Sequence, residues 1–396
     1  MNDRKLVISV GLAGLLILSA VGIVAAQSLE AKHAHEQHSG QITDITFDNE
    51  HNVVWSLDAK GGFIGYHVGE ESLVESRDFE TGHAIADGDG VVYVAVRNTL
   101  WEFDVENREW TTVTEELDSH AGALTYDAQR DVVWLAGGDG VYGYNVDDGS
   151  QFDSYSEHSD GVTSIDIQGD HLVSGSAWGV EAIVYDIPNG EVVYEPALPD
   201  DSTQVSAVHI TASNQLLVGT DAEERSPVLM YDIGQQKQVQ EYREHIFAVS
   251  DLAYDQAGRN IISFGSDNRI KIFSVEQETV IDTYQHDDTI FAGVFDAHNR
   301  LVWFGDGEDG PGTVIGVGAS TSAEKTPTQT TTETSTETTM TTEQSPTTEE
   351  SAGTTESEAT TAGTTTGSGG APGMGVLTVI AATLVLILRQ GLRSDS

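Results

Sequence analysis

Short runs of alternating apolar and polar residues, separated by small polar turns, fill the middle of the chain. In the stretch "IISFGSDNRIKIFS" (261–274), Ile261 and Ile262 precede a turn of small residues, and Ile272 and Phe273 follow it. Two segments of period two around a polar turn are typical of a β-hairpin. Because one hairpin cannot bury its apolar face alone, this pattern predicts further copies packed beside it.

The apolar segment that starts this hairpin recurs seven times. Each copy has two aliphatic residues followed by an aromatic or small residue, and the copies begin at Val53, Val91, Val132, Leu172, Leu216, Ile261 and Leu301. A third segment follows each copy and ends in an aromatic-polar pair such as Phe103-Asp104 or Tyr185-Asp186. The period of about 38 to 45 residues is that of four-stranded propeller blades. The sequence therefore predicts an all-β fold, a seven-bladed β-propeller over residues 38–319.

Another segment precedes the apolar one and begins with histidine in four copies. "HSGQITDITFD" (38–48) returns in variant form at His158, His245 and His286. A leading His, a Gly-Ser-Asp turn and an aromatic-Asp close resemble the WD40 repeat, most clearly over residues 245–285. No blade contains the Trp-Asp pair itself, and phrases such as "VYDIPNGEVVY" are similar to propellers of the quinoprotein and YVTN types.

The WD40 resemblance implies a structural role for the repeated histidines. In that family the leading His bonds to an Asp in the turn before the third strand. The positions that match are His245 with Asp267 in blade six and His286 with Asp306 in blade seven; His38 and His158 are the equivalent residues of blades one and four. These histidines are accordingly interpreted as parts of the fold and not as metal ligands.

The seventh blade shows only three strand segments before the composition changes. Its last segment ends near residues 313–317, and an open ring would leave unpaired sheet edges there. We therefore expect the segment around residues 29–36, within a His-rich linker at 27–37, to supply the missing outer strand.

The charge balance narrows the choice of partners. The chain has 64 acidic and 18 basic residues, a formal charge of −46, and only six lysines. Nucleic-acid binding is excluded because it needs a basic surface. Such a charge opposes the compact state unless salt screens it, and the composition resembles that of proteins from extreme halophiles. With no cysteine, disulfides, thiolate metal sites and cysteine nucleophiles are also excluded.

Both ends of the chain carry targeting features. Arg4 and Lys5 precede an apolar run over residues 6–26, which is interpreted either as a cleaved signal peptide or as a retained membrane anchor. Residues 320–371 are rich in Thr, Ser and Glu and contain no aromatic residue, which predicts a disordered stalk with possible O-glycans. Residues 372–396 contain a short apolar segment at 376–388 followed by Arg389 and Arg393.

This C-terminal arrangement resembles the PGF-CTERM sorting signal of haloarchaeal surface glycoproteins. The resemblance implies removal of the segment by an archaeosortase-like processing enzyme and replacement by a lipid anchor, although Met374 stands where that family has Phe. The alternative interpretation is a retained C-terminal transmembrane helix. Both interpretations place the protein on the outer face of the membrane.

Two groups of residues were weighed as metal sites. The run "HAHEQH" (33–38) holds three imidazoles, and the acidic turn at 305–310 offers Asp306, Glu308 and Asp309 as oxygen donors. A single short His run and Gly-Asp turns without a complete calcium loop indicate solvated turns instead. Nucleophile elbows, phosphate loops and HExxH motifs are missing from the sequence, so no catalytic, cofactor or metal residue is predicted.

A non-catalytic propeller that binds an external protein or glycan is the function that these features favour. The predicted contact residues are Trp178 and Arg225, each in a turn between second and third strands, and Phe247, just after His245. Packing between blades is the alternative role of Trp178. The alternative function is an extracellular propeller enzyme, either a quinone-dependent dehydrogenase or a polysaccharide hydrolase or lyase, with charged side chains converging in the central channel.

Overall fold

The computed structural model describes residues 29–138, 140–308 and 310–318. All of them belong to the first of two compact units, Met1–Pro327 and Thr328–Ser396. Within these ranges 28 strands form seven four-stranded antiparallel sheets. The predicted seven-bladed all-β propeller is confirmed. The terminal apolar segments, most of the stalk and the C-terminal signal lie outside the described residues.

Each blade is a meander in which consecutive strands pair. In blades one to six the strands run in chain order from the channel outwards. Blade one contains β2 (Ile42–Asp48), β3 (Val53–Asp58), β4 (Gly62–His67) and β5 (Ser72–Asp78); blade two contains β6 (Ala84–Asp87), β7 (Val91–Val96), β8 (Thr99–Asp104) and β9 (Glu109–Thr114). Blade three contains β10 (Ala123–Asp127), β11 (Val132–Gly137), β12 (Gly140–Asn145) and β13 (Gln151–Tyr155); blade four contains β14 (Val162–Gln168), β15 (His171–Ser176), β16 (Ala182–Asp186) and β17 (Glu191–Tyr194).

The remaining blades follow the same order until the ring closes. Blade five contains β18 (Ser202–Ile210), β19 (Gln215–Ala222), β20 (Ser226–Asp232) and β21 (Lys237–His245); blade six contains β22 (Val249–Asp255), β23 (Asn260–Gly265), β24 (Arg269–Ser274) and β25 (Thr279–Gln285). Blade seven contains β26 (Ala292–Asp296), β27 (Leu301–Gly305) and β28 (Val314–Gly318), with β1 (Ala31–His35) as its outer strand.

The second strand of each blade is buried on both faces, which explains its unbroken apolar run. In β3, Trp55 packs into a cluster shared with blade two, whereas Val54 packs into a cluster shared with blade seven. A continuous apolar run is the expected pattern for a strand covered on both sides. Trp55 also lies across Gly65 of β4, where a Cβ atom would collide with the indole ring.

The ring closes through its N-terminal segment, as the sequence predicts. Strand β1 pairs antiparallel with β28, and Ala34 lies opposite Ile315 in the register. Leu29, just before β1, is 5% exposed and belongs to the apolar cluster between blades six and seven. The outer edge of β28 is therefore covered, and the first and last described strands belong to one sheet.

The strand order divides the loops between two faces. In an antiparallel meander, the turns between second and third strands lie at the same end as the connections from each outer strand to the next inner strand. We call this end the upper face, and the end with the other two kinds of turn the lower face. The described residues include no helix long and apolar enough to cross a membrane.

Candidate functional site

The upper face is fixed to the blades by buried histidine networks, and the one in blade six is the most complete. The Nδ1 atom of His245 lies 2.9 Å from Asp267 Oδ1, and its Nε2 atom lies 2.7 Å from Ser263 Oγ. The other Asp267 oxygen accepts the backbone N–H of Ile246. Burial opposes ionisation of Asp267, but the hydrogen bond and charge of His245 outweigh it and lower the pKa of this carboxyl. The connection at 245–247 is thus held against the neighbouring turn.

Blades one and seven repeat this contact. His38 Nε2 lies 2.7 Å from Ser56 Oγ, and its Nδ1 lies 3.3 Å from Asp58 Oδ2. His286 Nε2 lies 2.7 Å from Asp306 Oδ2, the partner that the WD40 resemblance implied. Asp58 was not singled out from the sequence, although it follows β3 at the position where Asp267 follows β23.

Blade four uses a glutamate where the other blades use aspartate. His158 Nε2 lies 2.6 Å from Ser174 Oγ, and its Nδ1 lies 3.6 Å from Glu181 Oε2. Glu181 also accepts the backbone N–H of Ser159, and its own N–H donates to Ser176 Oγ. The longer reach of glutamate lets it contact the His from a wider turn.

That wider turn of blade four presents Trp178. The side chain is 54% exposed, so the alternative role of packing between blades is wrong. The turn is held on both sides: Ser176 donates its N–H to the Glu181 carbonyl, and Ala177 donates to the Gly161 carbonyl. An indole held in water by a fixed turn is the kind of side chain found at interface hot spots.

Arg225 and Phe247 lie close together on the upper face, at the boundary of blades five and six. Phe247 is 52% exposed, and the preceding Ile246 is also exposed. Arg225 Nη1 lies 3.7 Å from Glu244 Oε2, and the Arg225 carbonyl accepts a hydrogen bond from Arg243. The three predicted residues therefore share one face, with Trp178 in the neighbouring blade four.

The other large exposed apolar residues of the described chain occupy different positions. Leu73, Phe152 and Val239 lie in the outer strands β5, β13 and β21, one on each of three blades. Trp178, Ile246 and Phe247 are the three that lie in loops, and all three belong to the upper face. We call these three residues with Arg225 the exposed patch.

The central channel contains the charged side chains that the enzyme alternative predicted. A cavity of about 420 Å³ is lined by Asp44, Asp166, His209 and Asp251, among others. One oxygen of each aspartate accepts a backbone N–H of a following blade: Asp44 from Ile85 (2.8 Å), Asp166 from Ile210 (2.9 Å) and Asp251 from Gly293 (2.9 Å). These carboxylates connect adjacent blades, a structural use that the sequence analysis missed.

Burial changes the protonation of the channel residues. Loss of water, opposed by the backbone N–H bonds and reinforced by Asp251, raises the pKa of Asp44 to about 7; similar burial raises the pKa of Asp251 to about 6. Asp87, buried near Asp48 and Glu50, has its pKa raised to about 8. Burial opposes the charged form of His209, but Asp166 at 2.7 Å outweighs it and raises the pKa of the imidazole.

The histidine run at 33–38 does not converge on one point. His33 and His35 lie in β1 and stack against Trp303, with ring centroids 5.5 and 6.3 Å away, whereas His38 belongs to the network of blade one. Burial and the nearby imidazoles lower the pKa of His35 to about 4. Across the described ranges, no group of three or more His, Asp or Glu side chains is arranged to hold a metal ion.

The acidic turn at 305–310 is also engaged by the fold. Asp306 accepts hydrogen bonds from His286 and from the backbone N–H of Thr313, and Glu308 accepts one from the Thr289 hydroxyl. Asp309 lies outside the described residues. The two described carboxylates therefore tie the turn to blade seven.

The channel aspartates predict a pH dependence of stability. An unfolded Asp ionises near pH 4, whereas folded Asp44 ionises near pH 7, so the folded state binds more protons between these values. Stability should therefore fall as pH rises from 5 to 8, and Asp44→Asn should make this fall in melting temperature smaller. The measurement is a thermal melt at constant high salt, with exposed Asp78→Asn as the matched control. An unchanged slope in Asp44→Asn would show that Asp44 does not titrate in this range.

The comparisons with known proteins agree with the geometry of blade six. Residues 236–274 match the family model "WD40: WD domain, G-beta repeat", and this segment runs from the start of β21 to the end of β24. It contains His245, Ser263 and Asp267, the most complete of the histidine networks. No curated protein matches the chain. The chain is thus a seven-bladed propeller with one repeat similar to WD40.

Proposed function

We propose that this propeller is a non-catalytic scaffold that binds a partner protein through the exposed patch on its upper face. The observation that carries the proposal is the presence of Trp178, Ile246 and Phe247, about half exposed, in tied loops of three successive blades. Aromatic residues and arginine are enriched at interface hot spots. A rigid loop surface also loses little conformational entropy on binding.

The arrangement of the channel favours a scaffold over an enzyme. The enzyme alternative requires charged groups that are free to act on a substrate, but Asp44, Asp166 and Asp251 each accept a backbone N–H from another blade. Their removal would open contacts between blades. We therefore assign the carboxylates to stability and place recognition on the upper face.

The scaffold is proposed to work outside the cell, tethered to the membrane. Support comes from the sequence: the apolar segments at 6–26 and 376–388 flank the propeller, and a Thr-rich stalk joins the propeller to the second one. Mass spectrometry of the native mature protein tests the tether. A peptide that ends at Ser396 would contradict the processing step, and unmodified Thr-rich peptides would contradict glycosylation of the stalk.

The partner can be identified and the patch tested in two steps. A photo-crosslinking amino acid at position 178 should capture a specific protein on native cells, whereas one at position 152 in β13 should not. With the captured partner purified, Trp178→Ala and Phe247→Ala should each weaken binding about tenfold, as expected for hot-spot aromatics.

The control variants are Phe152→Ala and Leu73→Ala, which remove exposed apolar side chains away from the patch. Their affinities should equal that of the unmodified chain. Equal losses in all four variants would mean that the upper face is not the binding site.

A further inference from the structure

An arginine stacked among aromatic rings lies between blades one and two, away from the exposed patch. The Arg77 Cζ atom lies 4.9 Å from the ring centroid of Phe79, 4.9 Å from that of Trp101 and 4.5 Å from that of Trp110. Arg77 is in the outer strand of blade one, and the two tryptophans are in the third and outer strands of blade two. All four side chains are partly exposed.

The charge of Arg77 is unusual in this acidic protein. Six described arginines pair with carboxylates, namely Arg97, Arg130, Arg225, Arg243, Arg269 and Arg300. Arg77 has no carboxylate or hydrogen-bond partner among the described residues, and the other unpaired ones, Arg108 and Arg259, are exposed in turns. Arg77 alone of these three is partly buried, so its guanidinium is fixed and its N–H donors are left unused.

The rings that hold the guanidinium are themselves fixed from below. Trp110 packs on Phe103 with centroids 4.8 Å apart and on Phe63 at 5.3 Å, and both phenylalanines are fully buried. Phe79 meets Trp110 edge to face at 5.4 Å. Cation–π contacts with several rings restrict the guanidinium to one orientation. A planar fork held in this way is suited to bind a carboxylate with two parallel hydrogen bonds.

We propose that Arg77, with Phe79, Trp101 and Trp110, forms a binding site for a saccharide that carries a single uronic acid. The carboxylate accepts hydrogen bonds from the Arg77 guanidinium, and the apolar face of the sugar ring packs against the partly exposed aromatic rings. The site is separate from the exposed patch, since it lies on the outer side of blades one and two.

The surrounding charges decide in favour of an isolated carboxylate. Glu75 lies two residues before Arg77 on the same strand, and Asp78 and Glu80 follow it. A peptide with a run of acidic residues would be repelled by these carboxylates. A uronic acid within an otherwise neutral oligosaccharide brings one negative charge, flanked by uncharged surface that can stack.

The test uses two matched oligosaccharides and the full-length chain. The probes are xylotetraose with one glucuronic acid branch and unsubstituted xylotetraose, with affinities measured by calorimetry at constant salt. The glucuronic acid form should bind about tenfold more tightly than the neutral form. Arg77→Gln should remove this difference, and Arg108→Gln, which removes an exposed arginine of blade two, should leave it unchanged.

Further arms separate this site from alternatives. If Arg77→Gln melts much earlier than the unmodified chain, Arg77→Lys keeps the cation but not the two parallel hydrogen bonds, and should bind the glucuronic acid form about threefold more weakly. Trp178→Ala should bind both oligosaccharides normally, whatever the fate of the proposed protein partner. Equal affinity for both oligosaccharides, unchanged binding by Arg77→Gln, or a preference for a peptide with a single Glu would each overturn the proposal.

Discussion

Deletion of residues 28–36 should lower the melting temperature of the chain by about 10 °C or more, which corresponds to about 4 kcal/mol for a domain of this size. The deletion removes β1 and with it the backbone hydrogen bonds to β28. It also removes Leu29 from the apolar cluster between blades six and seven, and uncovers the side of Trp303 on which His33 stacks. The unpaired edge of β28 should then promote association of the chain with itself.

Point variants distinguish loss of closure from a general effect of truncation. Leu29→Ala removes a side chain that is 5% exposed and should cost about 2–3 kcal/mol, whereas Leu73→Ala removes one that is 46% exposed and should cost little. Thermal melting and gel filtration at high salt are the measurements. A deletion variant that melts at the temperature of the intact chain would show that β1 does not hold the ring closed.

The blades were predictable because each repeat states its burial in its sequence. The aliphatic pairs at Val53, Val132 and Ile261 lie in second strands that are covered on both faces, as in β3, β11 and β23. The closing strand was predictable for a different reason: a blade with three strands requires a fourth, and residues 29–36 were the nearest free segment. Both inferences depend on local pattern and on the need to cover sheet edges.

The contacts between blades were not predictable from one sequence. Arg77 and Trp110 are separated by a turn, a connection and three strands, and only the angle between blades one and two brings them together. The channel aspartates had a weaker signal, since Asp44 and Asp251 stand at the same position of "ITDITFD" and "VSDLAYD". A repeated Asp on an inner strand indicated a common role, but the acceptor of a neighbouring backbone N–H is visible only in three dimensions.

The lower face concentrates the negative charge of the chain. Inner strands end in an aspartate that accepts backbone N–H groups of the following turn, as at Asp48, Asp127, Asp255 and Asp296. These hydrogen bonds favour the ionised form of each carboxylate, so the turns gain local stability at the cost of mutual repulsion around the ring. Arg130 and Arg300 neutralise two of these four aspartates.

Removal of salt should therefore unfold the propeller. The chain carries a formal charge of −46, and the distance over which charges interact in solution grows from about 3 Å in 1 M salt to about 10 Å in 0.1 M salt. At the lower concentration neighbouring carboxylates repel one another across turns and between blades, and the folded state holds them closer than the unfolded chain does. Dialysis from molar KCl to about 0.1 M should abolish the β-sheet signal in far-UV circular dichroism and lower the melting temperature steeply.

The choice of salt identifies the cause of this unfolding. Screening depends on ionic strength, so NaCl and KCl should restore the fold equally at equal concentration, and sucrose at the same osmolality should restore much less. A preference for one cation would indicate specific binding in place of screening. A spectrum and a melting temperature that stay constant down to about 0.1 M salt would refute the prediction, and would mean that the seven apolar clusters between the blades outweigh the repulsion without help from the solvent.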